Sequence, residues 1–389
     1  MKHLMKTLTF FILFGVVSTT FAFGPIKKAI VVSVSSDGHY AISSNKNNGI
    51  VLWNLKNKSY KILSRNGNIY SAYFIKKSDS FIWQDLNNIV HVDNINGKEL
   101  FHFKNFPTYG QVMAPDLKTY FAAKANLDLY RGYSKKQEKI EDGILSFEGT
   151  GKLLNLTFSQ DNKYLLTSGF SGDALETIPL NKRNGLDNLN GVVLWNTKTG
   201  QPIKKLLGNE GMTIATFSPN GKYILSADEG TGSFIWRIKN FKKLHDFHGV
   251  YGKLIKVNGH WQWDKRGFPK PPQDFVNGIV YNGVPGIIAI KFIDMKGDFL
   301  RFIIRTPYAL LYNLKSRTPI KYLPLGKHPL PSVYDYTRDE SIDTAPAAHI
   351  LVTGQRYGNG IIVYKFNPKT KTLTRIWAPK VKTHWYQDL

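Results

Sequence analysis

The chain of 389 residues contains no cysteine. That excludes a disulfide framework, a thiol nucleophile and a lipidated cysteine anchor, so core packing alone must hold the fold. Acidic residues are also few: 28 Asp and Glu stand against 52 Lys and Arg, a formal net charge of +24. A field of that size attracts anionic partners and weakens in salt. No apolar run reaches the roughly 20 residues that span a bilayer comfortably. A Gly-x-Ser-x-Gly elbow, a phosphate-binding loop and a His-Glu-x-x-His pair are all missing. The sequence therefore assigns no catalytic residue, no metal ligand and no cofactor.

The N-terminus is the first thing that is present. Lys2 and Lys6 precede the apolar run Leu8–Val17, and Thr20-Phe21-Ala22 supplies small residues at −3 and −1 of a cleavage site before Phe23. This is the pattern of a secretory signal peptide over residues 1–22, leaving 23–389 as one mature domain. Without Lys2 and Lys6 the charge falls to +22. An exported chain free of cysteine is expected to be periplasmic or secreted and of bacterial origin.

Beyond it, strands recur. Met212–Ile238 reads strand, Ser-Pro-Asn-Gly turn, strand, Gly-rich turn, strand, with Ile, Phe, Tyr, Trp and Thr filling the strands. Asn220-Gly221 offers the positive-φ positions of a tight turn. Ala29–Asn54 repeats the pattern around a Ser-Asp-Gly turn and ends near Trp53. Further copies lie at Ser71–Asn94, Gln111–Tyr130, Leu154–Gly200, Ile288–Leu314 and Ile350–Phe366, the last preceded by an Asp/Pro/Ala-rich segment, 332–348. Taking residues 53, 92, 130, 195, 236, 312 and 364 as equivalent gives uninterrupted spacings near 40, the period of a four-stranded propeller blade. The long spacings coincide with insertions at about 169–190 and 250–286. The expected architecture is all-β: a seven-bladed β-propeller with two loop insertions on its rim.

FSPNGKYILS followed by an apolar strand ending in Trp, at Phe217–Trp236 and split across Phe158–Trp195, resembles the WD40 repeat family. Two features of that family are missing. In the family position the Trp-Asp dipeptide is replaced by Trp53-Asn54, Trp195-Asn196 and Trp236-Arg237, and the Gly-His dipeptide of that family's outer loop is missing. The family's Asp-His-Ser/Thr-Trp hydrogen-bond network is therefore not expected. GVVLWNTKTGQPI also faintly resembles the turn of quinoprotein propellers, which recurs in non-catalytic propellers.

The most site-like stretch is HWQWDKRGFPKPP. Trp261 and Trp263 alternate on an extended strand, so both face one side, and Lys265, Arg266, Phe268 and Lys270 follow. Paired aromatics beside cations suit a sugar, a stacked base or an acidic peptide. His245 and His248, with Asp246, have metal-ligand spacing but no third ligand placed by sequence. Lys365–Lys382 adds six cations and no acid, the guard of an exposed edge strand or an anion-attracting patch.

The expectation is an exported scaffold that binds a protein partner through its inserted loops. Two alternatives stand beside it. One is a hydrolase or lyase acting on glycans, which needs two carboxylates roughly 5–10 Å apart at the channel mouth. The other is a charge-driven binder of anionic glycan, lipid surface or nucleic acid.

Overall fold

The computed structural model describes residues 29–45, 47, 49–104, 108–124, 129–133, 136–141, 153–171, 191–206, 211–228, 233–247, 253–258, 260–264, 269–270, 272, 287–303, 308–325, 342–354 and 360–379. The expected signal peptide lies outside them.

The chain folds as seven antiparallel four-stranded blades, 1 to 7, spanning residues 29–64, 67–104, 108–141, 153–206, 211–246, 287–324 and 342–377, with blades 4 and 5 joined into one sheet where Phe170 and Ser171 pair with Met212 and Gly211. In each blade the first strand is innermost and the fourth outermost, and each blade comes from one continuous segment. The innermost strands contact one another in sequence, and that of blade 7 (Ile342–Ala345) contacts that of blade 1 (Ala29–Val34), closing the ring. No strand exchange latches it among the described residues. Closure rests on packing and on Asp343, whose carboxylate accepts hydrogen bonds from Val34 N (2.9 Å) and Ser33 Oγ (3.3 Å).

The stability of this arrangement lies between blades. Strand alternation sends successive residues to opposite faces of a sheet, so each blade packs on both neighbours. Seven apolar cores result, one for every adjacent pair. Trp53 belongs to the core shared by blades 7 and 1, and its neighbour Leu52 to that of blades 1 and 2.

Turn chemistry repeats with the blades. In blades 1, 4 and 5 the hydroxyls of Ser35, Ser159 and Ser218 donate to Asp37, Asp161 and Asn220 and accept from the backbone N–H of Tyr40, Tyr164 and Tyr223. At the ends of third strands, Asn54, Asn94, Asn196, Asn313 and Asn367 cap the following turn by accepting backbone N–H groups. Asn54 and Asn196 stand where the WD40 pattern has Asp. A neutral carboxamide oxygen performs the same capping, so the altered dipeptide costs the hairpin nothing.

The structure also corrects the assignment of equivalent residues. Cross-strand register aligns Trp53, Trp195, Trp236, Tyr312 and Tyr364, paired with Ala41, Leu165, Ile224, Phe299 and Leu351. In blade 2 the same position holds Asp93, opposite Phe81, rather than Val92. In blade 3 it holds Gly132, opposite Tyr120, rather than Tyr130.

The reason is an exchange of partners. Indole Nε1 of Trp53, Trp195 and Trp236 donates to Ser43, Thr167 and Ser226 on the second strand, each at 2.9 Å. The Ser/Thr–Trp half of the WD40 network is thus retained, against expectation. In blade 2 the indole comes from the second strand instead, and Trp83 Nε1 donates to Asp93 Oδ2 at 2.9 Å. In blade 3 the second-strand Tyr120 ring covers Gly132, where a Cβ would fall 2.0 Å from a ring carbon. The seventh blade begins earlier than expected: its inner strand, Ile342–Ala345, lies within the Asp/Pro/Ala-rich segment because Ile342 and Ala345 are fully buried.

Candidate site: the ring axis and the insertion face

All strands in a blade alternate direction, which sorts the connections between two faces of the ring. One face carries only the turns after first and third strands. The other carries every link from second to third strand and from blade to blade. Both insertions belong to this second face, since they are bracketed by Ser171 and Gly191 in blade 4 and by Phe247 and Ile287 between blades 5 and 6.

Within the second insertion the structure describes a hairpin, Lys253–Val257 paired with His260–Asp264. Trp261 and Trp263 occupy alternate positions of its second strand, opposite Lys256 and Leu254. Lys270 is described and exposed. Lys265, Arg266 and Phe268 lie outside the described residues, so the structure brings together only the two Trp positions of that set.

The other histidine and lysine candidates serve the ring. His245 sets Nε2 3.0 Å from the Leu314 carbonyl of blade 6 and Nδ1 3.3 Å from the Asp246 carbonyl. His248 is outside the described residues. Lys371 forms an ion pair with Asp298 of blade 6, and Lys365 Nζ donates to the Ala348 carbonyl at 2.6 Å. Lys371 thus ties the last blade to blade 6, and Lys365 bonds within its own blade. Lys380 and Lys382 lie outside the described residues. GVVLWNTKTGQPI forms the third and fourth strands of blade 4, with the intervening turn capped by Asn196.

On the turn face, the C-terminal ends of all seven inner strands enclose a cavity of about 330 Å³ on the ring axis. One register-equivalent residue per blade lines it: Ser33, Tyr73, Val112, Thr157, Thr216, Lys291 and Asp343. Three residues further along, the turn position contributes Ser36, Lys76, Gln160, Pro219 and Pro346. Lys76 reaches past blade 3 to donate from Nζ to Thr157 Oγ1 of blade 4 at 2.9 Å. Its side chain keeps exposed surface while the ring encloses its ammonium. That enclosure lowers its pKa, nearby Lys291 lowers it further, and Asp343 opposes both. At the mouth, Lys77 Nζ donates to the Gln160 carbonyl at 2.6 Å.

Asp343 is the one carboxylate among the described residues lining this cavity. The carboxylate pair that the glycan-cleaving alternative needs is not among them. The cavity residues were invisible to motif reading, because their chemistry differs from blade to blade. Aligning the seven turns would have shown Lys76 where blade 1 has Ser36 and blade 4 has Gln160.

No family model matches the chain, and no curated protein matches it. Solved structures do. The β-propeller domain of Cps50 (Swd1) from Myceliophteria thermophila superposes with a TM-score of 0.61 at 10% identity, covering 88% of this chain and 97% of that one. A chain of the mitotic checkpoint complex gives 0.59 at 8% identity, covering 91% and 90%. At such identities the likeness shows the fold, a WD40-like seven-bladed ring, and nothing finer.

Proposed function

We propose that the protein is an exported binding module that captures a protein partner on its insertion face. The observation that carries this reading is the sorting of connections. A ring held by seven cores has both long insertions leaving from one face, while the opposite face carries tight capped turns. Rigid scaffolds concentrate recognition in such loops. Within the second insertion the hairpin gives Trp261 and Trp263 alternate strand positions, and Lys265, Arg266, Phe268 and Lys270 follow in sequence. Aromatic anchors among cations match an acidic protein surface. Use of a similar ring within an assembly, the mitotic checkpoint complex, supports a scaffold role. The signal-like Met1–Ala22 supports delivery to the periplasm or outside the cell.

The test is capture of partner by immobilised chain 23–389 from envelope extract, washed at high salt, beside Trp261→Ala/Trp263→Ala. Truncating two central aromatic anchors should weaken capture by roughly thirtyfold or more, as hot-spot losses do. Circular dichroism and the unfolding midpoint should stay at wild-type values, which separates a lost contact from a lost fold. Equal capture by both proteins refutes the site.

A further inference from the structure

The turn face carries charge in a pattern that the fold does not require. In the six blades where it is described, the turn from third to fourth strand covers residues 55–58, 95–98, 197–201, 238–241, 314–320 and 368–371, and these turns hold nine Lys and Arg with no Asp or Glu. Register places the cations. Two residues after the capping Asn54, Asn196, Asn313 and Asn367 come Lys56, Lys198, Lys315 and Lys369, and Lys239 follows Arg237 in the same way. Blade 2 has Asn96 at that position and Lys98 two residues on. All six lysines are exposed.

These side chains do little for the ring. The capping is done by the Asn carboxamides, and of the nine cations only Lys371 forms an ion pair among the described residues, with Asp298. The inner turns of the same face, from first to second strand, are close to neutral, with six Lys against five Asp. There Asp37, Asp116 and Asp161 accept backbone N–H groups of their own turns. The positive charge of this face therefore lies on a circle around the axial cavity, with one or two unpaired cations in each described blade. Like charges so arranged repel one another and oppose the compact state, so folding alone does not account for them.

Shape selects among anionic partners. A linear polyanion laid across the ring meets an arc of this circle, whereas a planar anionic surface meets every blade at once. Each Lys brought up to an anionic bilayer strengthens attachment by about fivefold, and the contributions accumulate with number. We propose that the turn face docks on a bilayer containing anionic lipid, with the ring lying flat on the headgroups. The insertion face then points away from the membrane. This goes beyond the partner-binding reading and does not rest on it.

The experiment is co-sedimentation of chain 23–389 with sucrose-loaded vesicles of phosphatidylcholine alone or with added phosphatidylglycerol, at low and at moderate salt. Binding to the anionic vesicles only, weakened by salt, is expected. Lys56→Gln/Lys239→Gln/Lys315→Gln removes one charge from each of three turns and should lower partitioning by roughly a hundredfold. Lys104→Gln/Lys204→Gln/Arg375→Gln removes the same charge from exposed positions on fourth strands, off this face, and should bind nearly as the wild type does. Circular dichroism checks that both variants fold. Absence of binding to anionic vesicles overturns the proposal. So does an equal loss in the two variants, which would make net charge rather than this face the cause. Retention on heparin without vesicle binding also overturns it and would assign the circle to a linear polyanion.

Discussion

The indole–hydroxyl pair of blade 5 allows the logic of the ring to be measured. Ser226 is fully buried and Trp236 is 6% exposed, with Nε1 2.9 Å from Oγ. Replacing Ser226 with Ala strands a buried N–H, a loss of about 1–3 kcal/mol. Replacing Trp236 with Phe strands the hydroxyl and also removes ring surface packed against Phe234, whose centroid lies 6.0 Å away. The double variant has neither an orphaned donor nor an orphaned acceptor, so its loss should be smaller than the sum of the two. The expected coupling is about 1–2 kcal/mol, within the range found for residues in contact. Urea unfolding followed by circular dichroism supplies the three differences. Hydrogen exchange in blade 5 checks that each loss is local, because a chain of this length need not unfold in one step. Additivity within about 0.5 kcal/mol would refute the claim that this bond, rather than the indole's bulk, is what the position requires.

Two further outcomes follow from the same geometry. Gly38 and Gly221 both sit at positive φ, +72° and +67°, so alanine at either should cost about 1–2 kcal/mol from the left-handed backbone. At Gly38 the added Cβ would also fall 2.5 Å from that of Ala348 across the closing seam, whereas at Gly221 nothing lies within 4 Å. Gly38→Ala should therefore be the more damaging in urea unfolding, and equal losses would show that the seam yields. Burial raises the pKa of Asp93 against the pull of the Trp83 indole N–H and the charge of His91, and its Oδ1 has no partner. A raised folded pKa means stability that is full below the unfolded pKa and lost as pH rises through the folded one. Asp93→Asn should thus be more stable than wild type at pH 7, with the advantage vanishing below about pH 4. An advantage that persists at pH 3 would assign it to something other than ionisation.

Much of the ring could be read from the chain because turns and periods are local. Ser218-Pro219-Asn220-Gly221 and Ser35-Ser36-Asp37-Gly38 spell the turn between the first two strands, and the Trp positions of blades 1, 4 and 5 mark their third strands. In blades 2 and 3 the large ring stands on the second strand, so the third-strand position, Asp93 and Gly132, lies one and two residues from Val92 and Tyr130. Whether Trp83 or Tyr120 turns toward the preceding blade is decided by cross-strand register, which local sequence does not carry. The axial residues were hidden for a stronger reason. Ser33, Lys291 and Asp343 share a layer only after the ring has closed, and nothing in their chemistry is alike. The two Trp of the insertion were legible as a strand pattern, and the hairpin places them accordingly.

The exchange of donor and acceptor between strands explains how a repeat motif can fade while its ring persists. Each inter-blade core needs a large ring packed toward the preceding blade, and its polar atom, where it has one, needs a partner. Trp53 with Ser43 meets that demand, and so does Trp83 with Asp93, although the residues have changed strands. Blade 6 meets it with Tyr312 and the guanidinium of Arg301, 3.1 Å from the phenolic oxygen, both fully buried. Blade 7 sends the Tyr364 hydroxyl 2.8 Å to the Leu325 carbonyl of blade 6. Blade 3 fills the same space by laying Tyr120 over Gly132. What the seven blades have in common is therefore a packed space between neighbours, not a residue at a position. The axial layer is held differently. Blades 4 and 5 both keep Thr there, yet blade 6 has Lys291 and blade 7 Asp343, side chains too polar to be chosen for packing.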